Sequence, residues 1–339
     1  MSPARADLYH IASRATSGVM ESSLILSSGT GGIDGGIIAF SRNCRKADCI
    51  RSLIYEYSVV MKFTWVKGLT LGGILAARLT AQVSEITKVS HPTSEWIQRA
   101  DLYFRQTAVE PKGWLLLCPG RNGNGEGLLN EAKWLAFAKQ HHLLMCGVSF
   151  ASSRKDDLLG RYTEVQKGSG ELILKTMDQQ AGKELPMLVV GFSAGARFTT
   201  NWIAWKPERV IAWSAQAVGN WPEPVASKVS PPGIIASGEY DAGSWFASLQ
   251  YFQAARKLGK NVIWVSLEKL GHARSPVLDG FTREFFSYCL NHKGLANDHW
   301  NDIDSKRSLS PDEVNADPIF ATWLPSEAMA KLWQIIHHP

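Results

Sequence analysis

The amino-acid sequence predicts an α/β fold, a mostly parallel, doubly wound central sheet with helices on both faces. Short, wholly apolar runs at Gly113-Trp114-Leu115-Leu116-Leu117-Cys118, Leu143 to Val148 and Leu185 to Val190 are what strands buried on both faces require. Segments with helical spacing of apolar residues separate these runs, the alternation that marks a parallel sheet covered by helices. A chain of 339 residues, 45% hydrophobic and 20% charged, carries enough apolar surface for a sizeable core.

Taken in order, Ser84 to Ser94 is polar and reads as a linker, and Asp101 to Thr107 as an early strand. The strand at 113–118 stops at Pro119-Gly120, and a helix over 129–140 follows, with Leu129, Ala132, Leu135 and Ala136 on one face. A strand from Leu143 to Val148, a polar loop over 151–164 and a helix near 167–180 come next. The strand Leu185 to Val190 leads into a helix over 194–205, and further strands are expected near 209–214, 233–237 and 262–267. Between the last two, Trp245, Phe246, Leu249 and Phe252 set a helical stripe over 243–257. The α/β domain is thus expected over 85–293. In the remainder, 294–339, a long polar loop over 294–318 precedes an amphipathic helix over 325–336, N-capped by Ser326 and packed onto the domain.

The N-terminus reads differently. Residues 1–60 keep no sustained apolar period, and Ser27 to Gly36 is rich in glycine and serine, so this stretch is expected to be disordered or a start-site artefact. From Met61 a short basic start, the apolar run Gly68 to Ala77 and small residues beyond it follow the plan of a secretory signal peptide over 61–84. That run is too short for a stable membrane span. The expected location is secreted or periplasmic if translation starts at Met61, and otherwise cytoplasmic.

The net charge of +5 is modest and its cations are scattered among acids, which argues against nucleic acid as a partner. Cys44, Cys49, Cys118, Cys146 and Cys289 form no Cys-x-x-Cys pair, and no His-Glu-x-x-His occurs. No metal and no cofactor is therefore expected. Cys118 and Cys146 sit in apolar strand runs and read as small core residues.

The chemistry concentrates at Gly191-Phe192-Ser193-Ala194-Gly195, which matches G-x-S-x-G between a buried strand and a helix. Such a turn holds a nucleophile in a strained positive-φ conformation, and the glycines remove side chains where strand and helix meet. A serine hydroxyl needs a base to take its proton. Asp241, in Gly238-Glu239-Tyr240-Asp241, and His272, in Gly271-His272-Ala273, follow later strands in the order Ser, acid, His. Glu239 is the alternative acid, and Asp241 is also placed to cap the helix at 243–257. His141, His142, His292, His299, His337 and His338 fit this order less well and read as surface or packing residues. An oxyanion needs two preset donors. The N–H of Ala194 is one, and the loop Pro119-Gly120-Arg121-Asn122-Gly123-Asn124-Gly125 supplies the other, from Arg121 first and Asn122 second. That loop lacks the Gly-Lys-Ser/Thr ending of a phosphate loop. Trp221, in the segment Gln216 to Pro232, is placed either to wall a substrate pocket with Asn122 or simply to pack.

Pro-Gly-Arg-Asn-Gly, Gly-Phe-Ser-Ala-Gly, Gly-Glu-Tyr-Asp and Leu-Gly-His, in this order, resemble the α/β-hydrolase superfamily. They look most like its dienelactone hydrolase, polyhydroxybutyrate-depolymerase-like and feruloyl-esterase-like branches. The resemblance covers about residues 100–290 and implies a serine hydrolase that cleaves a small-molecule or polymer-derived carboxylic ester through an acyl-enzyme. The alternatives are a serine peptidase of prolyl-oligopeptidase type and a binding protein that kept the fold. The oxyanion loop departs from the superfamily in lacking a His-Gly start, and no large lid is inserted after 209–214.

Overall fold

A computed structural model describes residues 85–93, 97–152, 160–292 and 299–336. The extension expected at 1–60 and the signal peptide expected at 61–84 lie outside these described residues.

The strands are β1 (Ile86–Ser90), β2 (Ile97–Arg105), β3 (Gly113–Cys118), β4 (Leu143–Ser152), β5 (Met187–Phe192), β6 (Val210–Gln216), β7 (Gly233–Gly238) and β8 (Val262–Leu267). They form one 8-stranded sheet in the order β1-β2-β4-β3-β5-β6-β7-β8. β1 and β2 run antiparallel to their neighbours, and the rest of the sheet is parallel. The helices are α1 (Ala132–Gln140), α2 (Ser169–Ala181), α3 (Ala194–Trp205), α4 (Ala242–Lys257), α5 (Pro276–Asn291), α6 (Pro311–Ala316) and α7 (Glu327–Ile336).

Side chains alternate across the sheet with the strand period of two, and the core divides accordingly. On one face Trp114, Leu116 and Cys118 pack with Ile173 and Met177 of α2, Phe198 and Trp202 of α3 and Phe252 of α4. On the other, Leu115 and Leu117 pack with Trp134 and Phe137 of α1, Phe281 and Phe285 of α5 and Trp333 of α7. The doubly wound sheet that the apolar runs predict is therefore present.

Three local expectations need correction. The polar stretch at 84–94 contains β1, an edge strand whose charged Lys88 pairs with Asp101 of β2 at 2.9 Å; charge suits an exposed edge, and it hides the strand pattern. The stretch at 294–318 is not a plain loop. It contains β9 (His299–Asp302), paired with β10 (Ala321–Leu324), and α6, opened by a reciprocal Ser310–Glu313 capping box. α5 was absent from the sequence expectations, although Ser275 as N-cap and Pro276 in the first turn announce it.

The C-terminal segment covers the outer edge of the sheet. The backbone N–H of Trp264 in β8 donates to Thr322 Oγ1 at 2.9 Å, and Trp333 Nε1 donates to the Trp264 carbonyl at 2.6 Å. Arg256, buried in α4, donates from Nε to the Ala321 carbonyl at 2.9 Å and lies over the Trp300 ring at 4.2 Å. Among the described residues no helix is long and apolar enough to cross a membrane.

Candidate active site

The strand order reverses at β3: the chain crosses from β3 to β4 on one side and returns to β5 on the other. In open α/β sheets the crevice at such a switch point, at the carboxyl ends of the strands, is where ligands bind. The loop after β3 and the turn after β5 border it.

The turn after β5 is as sharp as the motif demands. Ser193 has φ 55°, a positive-φ conformation that costs a non-glycine residue strain. A Cβ on Gly191 would run into the carbonyl of Gly195, and one on Gly195 into the carbonyl of Cys118. The Ser193 N–H donates to the Gln216 carbonyl at 2.8 Å, tying the turn to the end of β6.

Asp241 and His272 converge on this serine. His272 Nε2 stands 2.9 Å from Ser193 Oγ, and His272 Nδ1 stands 2.7 Å from Asp241 Oδ2. The Asp241 side chain is mostly buried while the imidazole is half exposed, and the Phe192 ring sits 5.2 Å from the imidazole. The alternative acid is engaged elsewhere, since Glu239 Oε1 accepts from Ser266 Oγ at 3.3 Å. Asp241 also precedes α4, but its side chain makes no capping hydrogen bond. The loop bearing His272 is held by Arg274, whose guanidinium reaches Glu131 Oε1 at 2.5 Å and Asp279 Oδ2 at 2.7 Å. Burial works against the Arg274 charge, and its two carboxylate partners more than offset it, so its pKa is raised.

The loop after β3 lies against the turn. A Cβ on Gly120 would stand 3.6 Å from Ser193 Cβ, so the peptide that joins Gly120 to Arg121 borders the nucleophile turn. Arg121 N–H and Ala194 N–H have no hydrogen-bond partner among the described residues. Asn122 differs: its N–H donates to Tyr162 Oη at 3.1 Å and its Oδ1 accepts from the Ser152 N–H at 2.9 Å. Of the two donors weighed for this loop, only Arg121 is therefore unengaged. Arg99 of β2 fixes the loop by donating from Nη2 to the carbonyls of Asn122 at 2.7 Å and Gly123 at 2.8 Å. Gly125 and Gly147 pack backbone to backbone, and a Cβ on either would collide with the other.

Trp221 stands apart from this group. Its ring stacks on Tyr251 at 4.7 Å and its Nε1 donates to Ser248 Oγ at 3.1 Å. It lines a cleft of about 380 Å³ between residues 219–224 and α4, and none of Ser193, Asp241 and His272 lines that cleft. Asn122, expected with Trp221 to bind substrate, holds its own loop through its backbone N–H, its carbonyl and Oδ1. Arg99, Tyr162 and Gln216 are the site's supports that the motifs do not reveal. Cys118, in β3 beside the site, is fully buried and burial pushes its thiol up, so it is no rival nucleophile. Among the described residues no group of His, Cys, Asp or Glu is arranged to hold a metal.

Strand order and nucleophile turn together define the α/β-hydrolase fold. No family model matches the chain, and no curated protein matches it. Solved structures do. An esterase of Pyrococcus furiosus is 13% identical, with 68% of this chain and 98% of that one covered and a TM-score of 0.47. Acetyl xylan esterase from Aspergillus awamori is also 13% identical, over 60% of this chain and 99% of its own, with a TM-score of 0.45. A poly(3-hydroxybutyrate) depolymerase, LpqC from Bordetella parapertussis, is 13% identical over 69% and 94%, with a TM-score of 0.41.

Proposed function

We propose that this chain is a serine hydrolase that cleaves a carboxylic ester through an acyl-enzyme. The observation that carries the reading is the unbroken hydrogen-bonded line from Ser193 Oγ through both nitrogens of His272 to Asp241 Oδ2, 2.9 Å and 2.7 Å long.

In this reading His272 Nε2 takes the Ser193 proton as Oγ bonds to the ester carbonyl carbon. The carbonyl oxygen gathers the negative charge, and the N–H groups of Ala194 and Arg121 receive it. The bond to the alcohol oxygen then breaks, and the alcohol leaves with the proton from His272. Water repeats the sequence: His272 takes its proton, its oxygen bonds to the acyl carbon, and the proton returns to Ser193 Oγ as the acid departs. Asp241 holds the imidazole in the tautomer that presents Nε2 to Ser193 and stabilises the imidazolium between steps. The chain needs no cofactor for this, and its substrate is a small-molecule or polymer-derived ester.

Labelling with a fluorophosphonate probe tests the proposal, together with turnover of acetyl, feruloyl, hydroxybutyrate and lactone esters against peptide amides. The expected result is labelling that is lost in Ser193→Ala and turnover of esters above amides. A folded wild type that is neither labelled nor active makes the chain a binding protein. A preference for peptide amides makes it a peptidase.

A further inference from the structure

Gln216 is a polar residue at the end of a strand that is otherwise almost wholly apolar, and it is only 4% exposed. A buried amide is costly unless its donors and acceptor are satisfied, so its partners reveal what it is there to hold. Its Nε2 donates to the Ala273 carbonyl at 2.7 Å, and its Oε1 accepts from the Ser275 N–H at 3.4 Å. Both groups belong to the segment that follows His272. The Gln216 backbone carbonyl accepts the Ser193 N–H. One residue therefore grips the turn that carries the serine and the loop that carries the histidine.

The backbone around Gln216 is adapted to that position. Ala217, wholly buried, takes φ 59° and sends its N–H to the Ala236 carbonyl of β7 at 2.8 Å. A non-glycine residue keeps such a conformation only where its surroundings impose it. Ser275, the farther partner, is the N-cap of α5, its Oγ accepting from the Leu278 N–H at 3.2 Å. The His272 loop is thus anchored on its downstream side to a helix start and, through one amide, to β6.

We propose that Gln216 is a positioning residue: it sets the separation of His272 Nε2 from Ser193 Oγ by fixing the backbone at Ala273 and Ser275. This rests on the hydrolase reading above. Proton transfer and attack depend on sub-ångström alignment, and a misplacement of about 1 Å costs on the order of 100-fold in rate. The amide is buried and turned to the backbone at Ala273 and Ser275, so its loss is expected to leave KM for a small ester little changed.

The test compares wild type with Gln216→Met, which keeps length and apolar bulk without the hydrogen bonds, and Gln216→Glu, which keeps the acceptor but sets a carboxylate oxygen against the Ala273 carbonyl. Three measurements are made: steady-state kinetics giving kcat and KM on a small acetyl ester, normalised to correctly folded protein; hydrogen exchange of the peptide spanning Leu270 to Ser275; and thermal melting. The expected result is kcat down about 10- to 100-fold in both variants, KM within about twofold, and faster exchange in that peptide at temperatures where both variants stay folded. Wild-type kcat in Gln216→Met, or a melting temperature that falls while kcat per folded molecule holds, reduces Gln216 to a packing role and overturns the proposal. Unchanged exchange overturns it too. A wild type inert to esters and to the fluorophosphonate overturns the hydrolase reading and the catalytic consequence with it, while hydrogen exchange still decides whether Gln216 anchors the loop.

Discussion

His272 Nδ1 lies 2.7 Å from Asp241 Oδ2, whereas the carboxylate of Glu239, two positions earlier, accepts from Ser266 Oγ. Both acids follow β7, so their order in the chain does not choose between them. Their surroundings differ: one carboxylate faces the imidazole and the other is held beside β8. Asp241→Asn is expected to lower kcat on the order of 10³- to 10⁴-fold, through loss of the imidazolium partner and the correct tautomer. Glu239→Gln keeps an acceptor for Ser266 and is expected to retain activity within a few-fold. Steady-state kinetics on one acyl ester checks both, and the reverse ranking would make Glu239 the acid.

In the proposed mechanism the oxyanion donor from the loop after β3 is the backbone N–H of Arg121, so the Arg121 side chain should matter little. Arg121→Ala is expected to leave kcat within a few-fold of wild type. Arg121→Pro removes the N–H itself, and loss of one such donor costs about 10²- to 10³-fold in kcat. Circular dichroism must show the proline variant folded for the comparison to count. Equal loss in both variants would transfer the role to the guanidinium.

The sequence discloses the parts of this molecule that obey a short local rule. The strands flanking the site are unbroken apolar runs, and the turn at Ser193 is written in two glycines that the backbone cannot replace. Asp241 and His272 were legible because each stands directly after such a strand. What stayed hidden at the site depends on partners distant in the chain. Arg99 of β2 stabilises the loop at Asn122 from beyond β4, and Gln216 reaches Ala273 from β6; neither carries a motif. Trp221 was ambiguous for the same reason: only the folded chain reveals the Tyr251 ring against which it packs. β1 and α6 were missed because their residues are polar, and their structure comes from cross-strand charge and capping rather than from an apolar period.

The same cross-strand charge gives a pH prediction. Burial alone would raise the Asp101 carboxyl, but hydrogen bonds from Lys88 and Ser90 and the charges of Lys88 and Arg99 bring it below its ordinary value. A carboxyl depressed in the folded chain binds fewer protons than in the unfolded one, so stability rises with pH across that window. The contribution is whole above the ordinary carboxylate range, near pH 4, and is lost as pH falls through the folded value. β1 is therefore expected to loosen in acid, with faster hydrogen exchange across Ile86 to Ser90. Asp101→Asn should flatten that dependence. An unchanged slope in the variant would place the acid sensitivity elsewhere.

Trp333 presents a second case in which a distant partner decides stability. Its Nε1 satisfies the Trp264 carbonyl on the outer side of β8, and its ring is fully buried in the core on the face of the sheet that α5 covers. Two costs can be separated. Trp333→Phe keeps most of the ring and removes the donor, leaving a buried carbonyl unpaired, which costs about 1–3 kcal/mol. Trp333→Ala also removes the ring and opens a cavity, which together cost about 3–5 kcal/mol. Urea unfolding should rank wild type, Trp333→Phe and Trp333→Ala in that order of midpoint. Because the indole covers a strand edge, the alanine variant should also associate as concentration rises, measurable by light scattering before any unfolding is seen. Equal midpoints for wild type and the phenylalanine variant would mean that ring packing alone holds α7 to the sheet, with the edge carbonyl finding another donor.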